Sequence, residues 1–118
     1  MEYFLVAMGG TLGGTTRYII GKYISEKSNC NFPFGTFIIN ITGAILFGIF
    51  LSFQVSQSFY LFFGEGFFGA YTTFSTFMYE GFKLFQTNEK LHLLIYVLGS
   101  LALGIIGLFI GYKIGSLI

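Results

Sequence analysis

Four long apolar runs constrain the fold more than any other feature of this sequence. They cover about residues 3–24, 34–53, 58–82 and 91–112. A helix needs about 20 apolar residues to cross the hydrocarbon core of a bilayer, and each run is about that long. Because 54% of the 118 residues are hydrophobic and only 9% are charged, little of the chain is left for a soluble domain. The sequence predicts a single all-α membrane domain over residues 1–118, with four transmembrane helices.

Short polar segments connect the runs: "SEKSNCNFP", "QVSQS" and "QTNEK". Connections this short predict that consecutive helices are antiparallel neighbours. The only cysteine, Cys30, lies in the first connector and cannot form an intrachain disulfide. With four helices, both termini share a side with Lys113 alone, and the positive-inside rule therefore favours both termini outside. The opposite side carries the remaining basic residues, Arg17, Lys22, Lys27, Lys83 and Lys90.

Glycines recur at four-residue steps in two of the runs. The first run contains Gly9-Gly10 and Gly13-Gly14, and the fourth contains Gly107, Gly111 and Gly115. Small residues at this spacing let two helix backbones approach closely in lipid, where van der Waals packing drives association. These glycines therefore predict helix packing rather than chemistry.

Polar residues inside the apolar runs indicate where function lies, because each is costly in a membrane unless it is paired or faces a water-filled path. The densest group is "GAYTTFSTF" at residues 69–77, and Asn40 adds an amide in the second run. Hydroxyls and an amide can donate hydrogen bonds to an anion without trapping it. Phe74 and Phe77 share a helix face, and their ring edges carry partial positive charge. The pattern favours an anion pathway.

Enzymatic chemistry has little support in the same inventory. His92 is the only histidine, so a Ser-His-Asp arrangement has no second candidate, and we interpret it as an interfacial residue. Glu65 and Glu80 are separated by ~22 Å on a continuous helix, which is too far to share a proton or a metal. No glycine-rich GxGxxG sequence follows a strand. The sequence predicts a protein that is not an enzyme.

Three ordered motifs resemble one known family, the Fluc (CrcB) fluoride channels. The third run reads "GFFGAYTTFSTFMYE", similar to the family signature G-F-x-G-x-x-T-T-F-S-T-F-x-x-E. The second run reads "FPFGTFIINITGAILFG", similar to F-P-x-G-T-x-x-x-N-x-x-G, and the first contributes "GGTLGGTTRY", which resembles G-G-x-x-G-x-x-x-R-Y. The resemblance covers nearly the whole chain in register.

The resemblance implies an antiparallel, dual-topology dimer of four-helix subunits, with helix three broken near its signature and two fluoride pores at the subunit interface. The partner is a second copy of the chain or an oppositely oriented homologue. An oppositely oriented homologue is one explanation for the biased distribution of basic residues, since a dual-topology homodimer should have little bias. The family's fluoride pathway maps onto Asn40, Phe74, Ser75, Thr76, Phe77, Glu80, Tyr96 and Ser100.

The resemblance also implies a structural sodium ion at the dimer centre. Its ligands map onto the backbone carbonyls of Gly69 and Thr72, and Gly69 is expected to supply the flexibility for the break. Irregular backbone at membrane depth is tolerated where protein or an ion satisfies it. Arg17 has two interpretations, a helix-end residue that pairs with interfacial groups or backbone carbonyls, which we favour, and a vestibule residue that attracts anions.

The function implied is passive, selective export of fluoride across the plasma membrane of a microbe by a multi-pass channel. An alternative is a small proton-coupled exporter of toxic cations, which requires an embedded carboxylate. Glu65 is the one candidate for that role. A purely structural helix bundle accounts for the glycines but leaves Asn40, the TTFST cluster and Tyr96 unexplained.

Overall fold

Helices follow the four apolar runs. The computed structural model describes residues 2–28 and 32–118, and Cys30 lies outside the described residues. Helix α1 spans Glu2–Lys27, α2 spans Phe34–Leu51 and α4 spans Lys90–Leu117. The third run forms two helical parts, α3a at residues 57–71 and α3b at Phe74–Gln86. The prediction of an all-α protein is confirmed.

The break in the third segment lies at two threonines. Helix α3a consists of an α-helical turn, Gln57–Phe59, a π-helical stretch, Tyr60–Phe68, and a second α-helical turn, Gly69–Tyr71. Thr72 and Thr73 are extended, with ψ of 152° and 124°, and α3b starts at the next residue. Thr73 is its N-cap, because the Thr73 hydroxyl accepts a hydrogen bond from the Thr76 N–H at 3.2 Å.

Gly69 is not the hinge, contrary to the expectation from the sequence. Its φ of −62° and ψ of −35° are helical. The turn of direction occurs instead at Thr72 and Thr73, whose β-branched side chains suit extended backbone. A threonine can also replace a lost helical hydrogen bond with its own hydroxyl, which a glycine cannot do.

Helix α1 packs on α3a through glycines. A Cβ added at Gly9 would overlap the Phe62 carbonyl, and one added at Gly13 would overlap the Phe67 carbonyl. The two backbones are therefore in direct contact, as the small-residue spacing predicts. Gly14 differs from its neighbour, because an added Cβ there has no heavy atom within 4 Å.

Helix α2 packs on α4 in the same way. An added Cβ would overlap the Ile45 carbonyl at Gly111 and the Ser52 hydroxyl at Gly115, and it would come within 2.9 Å of the Ile45 side chain at Gly107. All three glycines of the α4 motif therefore serve packing. We call the α1–α3a and α2–α4 contacts the two glycine seams.

Much of the apolar surface faces outward. Two helices in the described part of the chain are long and apolar enough to cross a membrane, α2 with a mean hydropathy of 2.1 and α4 with 2.6. Helix α1 carries Arg17 and several threonines, and the third segment is interrupted. Exposed apolar faces of this extent mark surfaces that contact lipid or another protein. Buried hydrophobic residues include Phe32, Ile39, Phe50, Tyr71, Leu84 and Tyr96.

Candidate ion pathway and cation site

Side chains from α1 and α2 hold the break in the third segment. The Asn40 amide binds both backbone groups of Thr73: its Nδ2 donates to the Thr73 carbonyl at 3.2 Å, and its Oδ1 accepts from the Thr73 N–H at 3.0 Å. Arg17 Nε donates to the Ala70 carbonyl at 3.0 Å. These contacts satisfy backbone groups that the break removes from the helical pattern.

At the break, two backbone N–H groups bind side chains instead of the carbonyls that they would bind in a continuous helix. In a continuous α-helix the Thr73 N–H would bind the Gly69 carbonyl, and the Thr76 N–H would bind the Thr72 carbonyl. Here the Thr73 N–H donates to Asn40, and the Thr76 N–H donates to the Thr73 hydroxyl. These two carbonyls are among those that the break separates from their usual donors, and they are the two that the family resemblance implies as sodium ligands. Backbone carbonyl oxygens suit a hard cation.

A groove of about 260 Å³ runs beside the break. Phe74 and Phe77 both line it, with ring centroids 6.1 Å apart, so the shared face that the sequence predicts is present. Phe74 is 73% exposed, whereas Phe77 is half-buried. The groove thus brings the phenylalanine pair together with neutral hydrogen-bonding groups. Its other lining residues are Asn40, Thr72, Thr73, Ser100 and Leu101.

Two buried hydroxyls continue from this groove along α4. Tyr96 is fully buried, with its ring 4.9 Å from the Phe77 ring. Neither the Tyr96 hydroxyl nor the Ser100 hydroxyl has a hydrogen-bond partner within the described chain. Buried hydroxyls normally have a partner, and one left without protein partners indicates a place for water or a ligand. The pair lies one helical turn apart and adjoins Phe77.

The second half of α3 borders a larger cavity of about 590 Å³. Thr76, Glu80 and Lys83 line it, and the Glu80 carboxylate accepts a 2.5 Å hydrogen bond from the Thr36 hydroxyl. Of the predicted pathway residues, Ser75 and Tyr96 line neither cavity, since Ser75 is exposed and Tyr96 is buried beside Phe77. The other six divide between the two cavities. Ser25, Phe32, Pro33, Tyr79, Leu84 and Thr87 complete the larger one.

Comparison with known proteins identifies the family. The family model described as "CrcB-like protein, Camphor Resistance (CrcB)" matches residues 4–112. This chain belongs to the CrcB family. The resemblance drawn from the three motifs is therefore confirmed, and CrcB membership together with the two apolar helices makes the chain a membrane protein.

Curated relatives of this CrcB protein match along their whole length. "Fluoride-specific ion channel FluC 2" of Clostridium acetobutylicum is 50% identical over 117 residues, which cover 99% of this chain and 100% of the relative. "Fluoride-specific ion channel FluC" of Acidobacterium capsulatum is 42% identical, covering 98% and 97%. The protein of the same name from Thermosipho melanesiensis is 40% identical, covering 98% and 96%.

Arg17 of this CrcB chain pairs with a backbone carbonyl, as the favoured interpretation allows, although it lies ten positions before the end of α1. Its side chain binds the Ala70 carbonyl, which is the backbone pairing. The residue also lines a groove of about 210 Å³ together with Lys22, Thr36 and Thr73. The guanidinium therefore supports the break and also borders a groove, and its role in attracting anions stays a prediction.

Thr36 and Thr73 join the candidate site of the CrcB chain although neither was among the predicted pathway residues. Thr36 lies four positions before Asn40 in α2, a spacing that places both on one helix face. That spacing is the signal that could have identified Thr36. Thr73 contributes its N–H, its carbonyl and its hydroxyl to the break, a role set by tertiary contacts with α2.

Proposed function

We propose that this chain is a fluoride-selective channel that exports fluoride passively across the microbial plasma membrane. Curated relatives aligned over their full length carry that activity in their names. The observation that carries the proposal for this chain is the groove in which Phe74, Phe77, Asn40 and Ser100 meet. Neutral donors and aromatic edges can stabilise a small anion without holding it permanently.

The proposed path uses Phe74, Phe77 and Asn40 in the groove, then the Tyr96 and Ser100 hydroxyls, and Thr76 and Glu80 in the larger cavity. Each buried hydroxyl without a protein partner would donate to the passing anion or to its water. Ser75 is part of the proposed path only if an exposed surface near the break becomes lined by the second subunit. Selectivity against chloride follows from fixed donors in a path too narrow for the larger ion.

The driving force is electrochemical. Fluoride enters cells from an acidic medium as neutral HF and dissociates in the less acidic cytoplasm, and an inside-negative potential then drives the anion outward. One elementary charge moving through 100 mV changes its energy by about 2.3 kcal/mol. A passive channel therefore suffices.

The proposed assembly is an antiparallel, dual-topology dimer, formed with a second copy or an oppositely oriented homologue. Extensive apolar surface remains exposed on the described chain, including Phe74 and Phe109 at 73% and 71%. Gly69 is also exposed, which leaves room beside it for a second subunit and supports a ligand set shared between subunits. In this proposal the Gly69 and Thr72 carbonyls hold a structural sodium ion, which neutralises the negative ends of their dipoles.

The competing cation exporter would need Glu65 within a closed transport path. Glu65 is exposed on α3a. The groove beside Phe74 is lined by neutral side chains instead, which suits an anion better than a cation. The geometry therefore favours the channel.

Ion efflux from potassium-loaded proteoliposomes tests the proposal. After valinomycin is added, we expect rapid fluoride release and no chloride release from vesicles that contain this chain. Phe74→Ile and Phe77→Ile should each reduce fluoride release severely while the protein remains folded. Phe82→Ile is the matched control, because Phe82 lies on α3b at 59% exposure and does not line the groove.

Two results would decide against parts of the proposal. Unchanged efflux in both the Phe74 and Phe77 variants would remove the pair from the path. No fluoride release from folded wild-type protein, alone and with an oppositely oriented homologue, would overturn the function itself.

A further inference from the structure

A buried hydrogen bond joins α2 to the last residue before the break. The Thr42 and Tyr71 hydroxyl oxygens are 3.0 Å apart. Tyr71 is only 5% exposed, and its ring stacks on Phe67 with centroids 6.0 Å apart and planes within 9°. The side chain is therefore fixed at both its ring and its hydroxyl. The Arg17 and Asn40 contacts secure backbone groups, whereas this one secures a side chain.

This contact lies between the Gly69 and Thr72 carbonyls, two of those that the break separates from their helical donors. Gly69 precedes Tyr71 by two positions, and Thr72 follows it directly. Arg17 secures Ala70 on one side of Tyr71, and Asn40 secures Thr73 on the other. The hydrogen bond between Thr42 and Tyr71 is the third contact that holds this segment, and it acts on a residue between Gly69 and Thr72.

Helix α2 leaves little space for Tyr71 or Thr72 to move toward it. Gly43 follows Thr42, and a Cβ added there would overlap the Thr72 methyl group and come within 3.2 Å of the Tyr71 ring. Close packing on one side and a hydrogen bond on the same side together restrict both residues. The distance between the Gly69 and Thr72 carbonyls is thereby restricted as well.

We infer that Thr42 and Tyr71 are positioning residues, whose hydrogen bond sets the cation affinity of the Gly69 and Thr72 carbonyls. This inference rests on the sodium site of the proposed function and goes further by naming what tunes it. Carbonyl sites discriminate among alkali cations by the spacing and number of their oxygens. Loosening Tyr71 would let the two carbonyls spread, and sodium would bind more weakly.

Thermal unfolding in detergent measures this affinity without any ion flux. A cation that binds only the folded protein raises the midpoint as its concentration increases. We would titrate sodium at constant ionic strength against N-methyl-D-glucamine and compare wild type with Tyr71→Phe and Thr42→Val. Each variant should need about 3- to 10-fold more sodium for the same rise, the range expected for one hydrogen bond. Thr42→Ser keeps a hydroxyl and should restore wild-type behaviour.

Two controls and a double variant sharpen the test. Thr15→Val removes a hydroxyl that bonds within α1, to the Thr11 carbonyl at 2.7 Å, and Tyr3→Phe alters a residue that is 90% exposed. Neither should change the sodium response. The double variant of Thr42→Val and Tyr71→Phe should be no weaker than either single variant, because both remove the same bond. Additive losses would overturn the inference.

The outcomes separate this inference from the proposed function. A wild-type sodium response that Tyr71→Phe and Thr42→Val leave unchanged would overturn the positioning role and leave the sodium site standing. A wild type with no response specific to sodium would overturn both the sodium site and this inference. Fluoride efflux, measured independently, would still decide whether the chain is a channel.

Discussion

The glycine seams and the broken segment meet opposite structural requirements. At the seams, α1 and α3a, and likewise α2 and α4, touch backbone to backbone while each segment stays helical. At the break, residues 72–73 leave the helix, and Asn40, Arg17 and threonine hydroxyls replace the missing bonds. The seams depend on the absence of side chains. The break depends on the presence of particular ones.

The difference predicts how each region responds to substitution. Added volume at a seam forces two backbones apart, and the whole bundle must adjust. Removal of a polar side chain at the break leaves the helices packed but changes which backbone groups are free. Seam variants should therefore lose the folded protein, whereas break variants should lose transport or ion binding first.

The largest effect should come from Gly13→Ala, compared with Gly14→Ala. The added Cβ at Gly13 would overlap the Phe67 carbonyl, but at Gly14 it meets no heavy atom within 4 Å. Overpacking of this kind costs ~1–3 kcal/mol or more, and we expect Gly13→Ala to lower the thermal midpoint strongly. Gly14→Ala should be close to wild type. Equal thermal midpoints for the two variants would show that the α1–α3a seam can accommodate an added methyl group.

Removal of the Asn40 amide should have the next largest effect. Asn40→Ala leaves the Thr73 N–H and carbonyl without their side-chain partner, but Thr73 lines the groove, where water can replace part of the lost hydrogen bonding. Fluoride efflux should fall to background, and the thermal midpoint should drop less than in Gly13→Ala. Asn40→Asp keeps the acceptor for the Thr73 N–H and should lie closer to wild type in stability. Full fluoride efflux by a folded Asn40→Ala variant would show that the hydrogen bonds between Asn40 and Thr73 are not needed for transport.

The seams could be predicted from sequence more completely than the break. Four-residue glycine spacing is a local pattern that predicts close packing without reference to the partner helix. The packing roles of Gly9, Gly13 and the α4 glycines could therefore be predicted from it. The exception is Gly14, which belongs to the same pattern although a Cβ added there would have no heavy atom within 4 Å. The side of α1 that contacts α3a depends on the rotation of α1 about its own axis. Residue spacing alone does not determine that rotation.

At the break, sequence identified the region but not its mechanism. The TTFST cluster and the family resemblance locate the interruption, and the backbone freedom of glycine predicts Gly69 as the hinge. The structure places the hinge at Thr72 and Thr73, since Asn40 from another helix supplies replacement hydrogen bonds there. Such contacts join residues 33 positions apart. No local pattern encodes them, and the contact between Thr42 and Tyr71 has no local signature for the same reason.

A smaller effect should follow from Thr36→Val, which changes the hydrogen bonding of Glu80 and leaves the contacts at the break in place. The variant removes the hydroxyl that donates to Glu80 and keeps the side-chain shape. Hydrogen bonds between helices in membranes contribute about 0.6 kcal/mol on average, so the thermal midpoint should shift by only a few degrees. Fluoride efflux should decrease measurably, because the unpaired carboxylate can turn into the cavity. Thr36→Ser is the control and should conduct normally.

The smallest effect should come from charge alone, at Lys83. This residue lines the larger cavity one helical turn after Glu80, and its positive charge should raise the local fluoride concentration. At ~10 mM ionic strength, where the screening length is ~30 Å, Lys83→Gln should lower fluoride efflux by a modest factor. At ~150 mM the length shrinks to ~8 Å, and the difference should diminish. Lys90→Gln is the control, because that exposed residue begins α4 outside the cavity lining. A loss that is equal at both salt concentrations would mean that Lys83 acts through packing, as the seam glycines do, and not through its field.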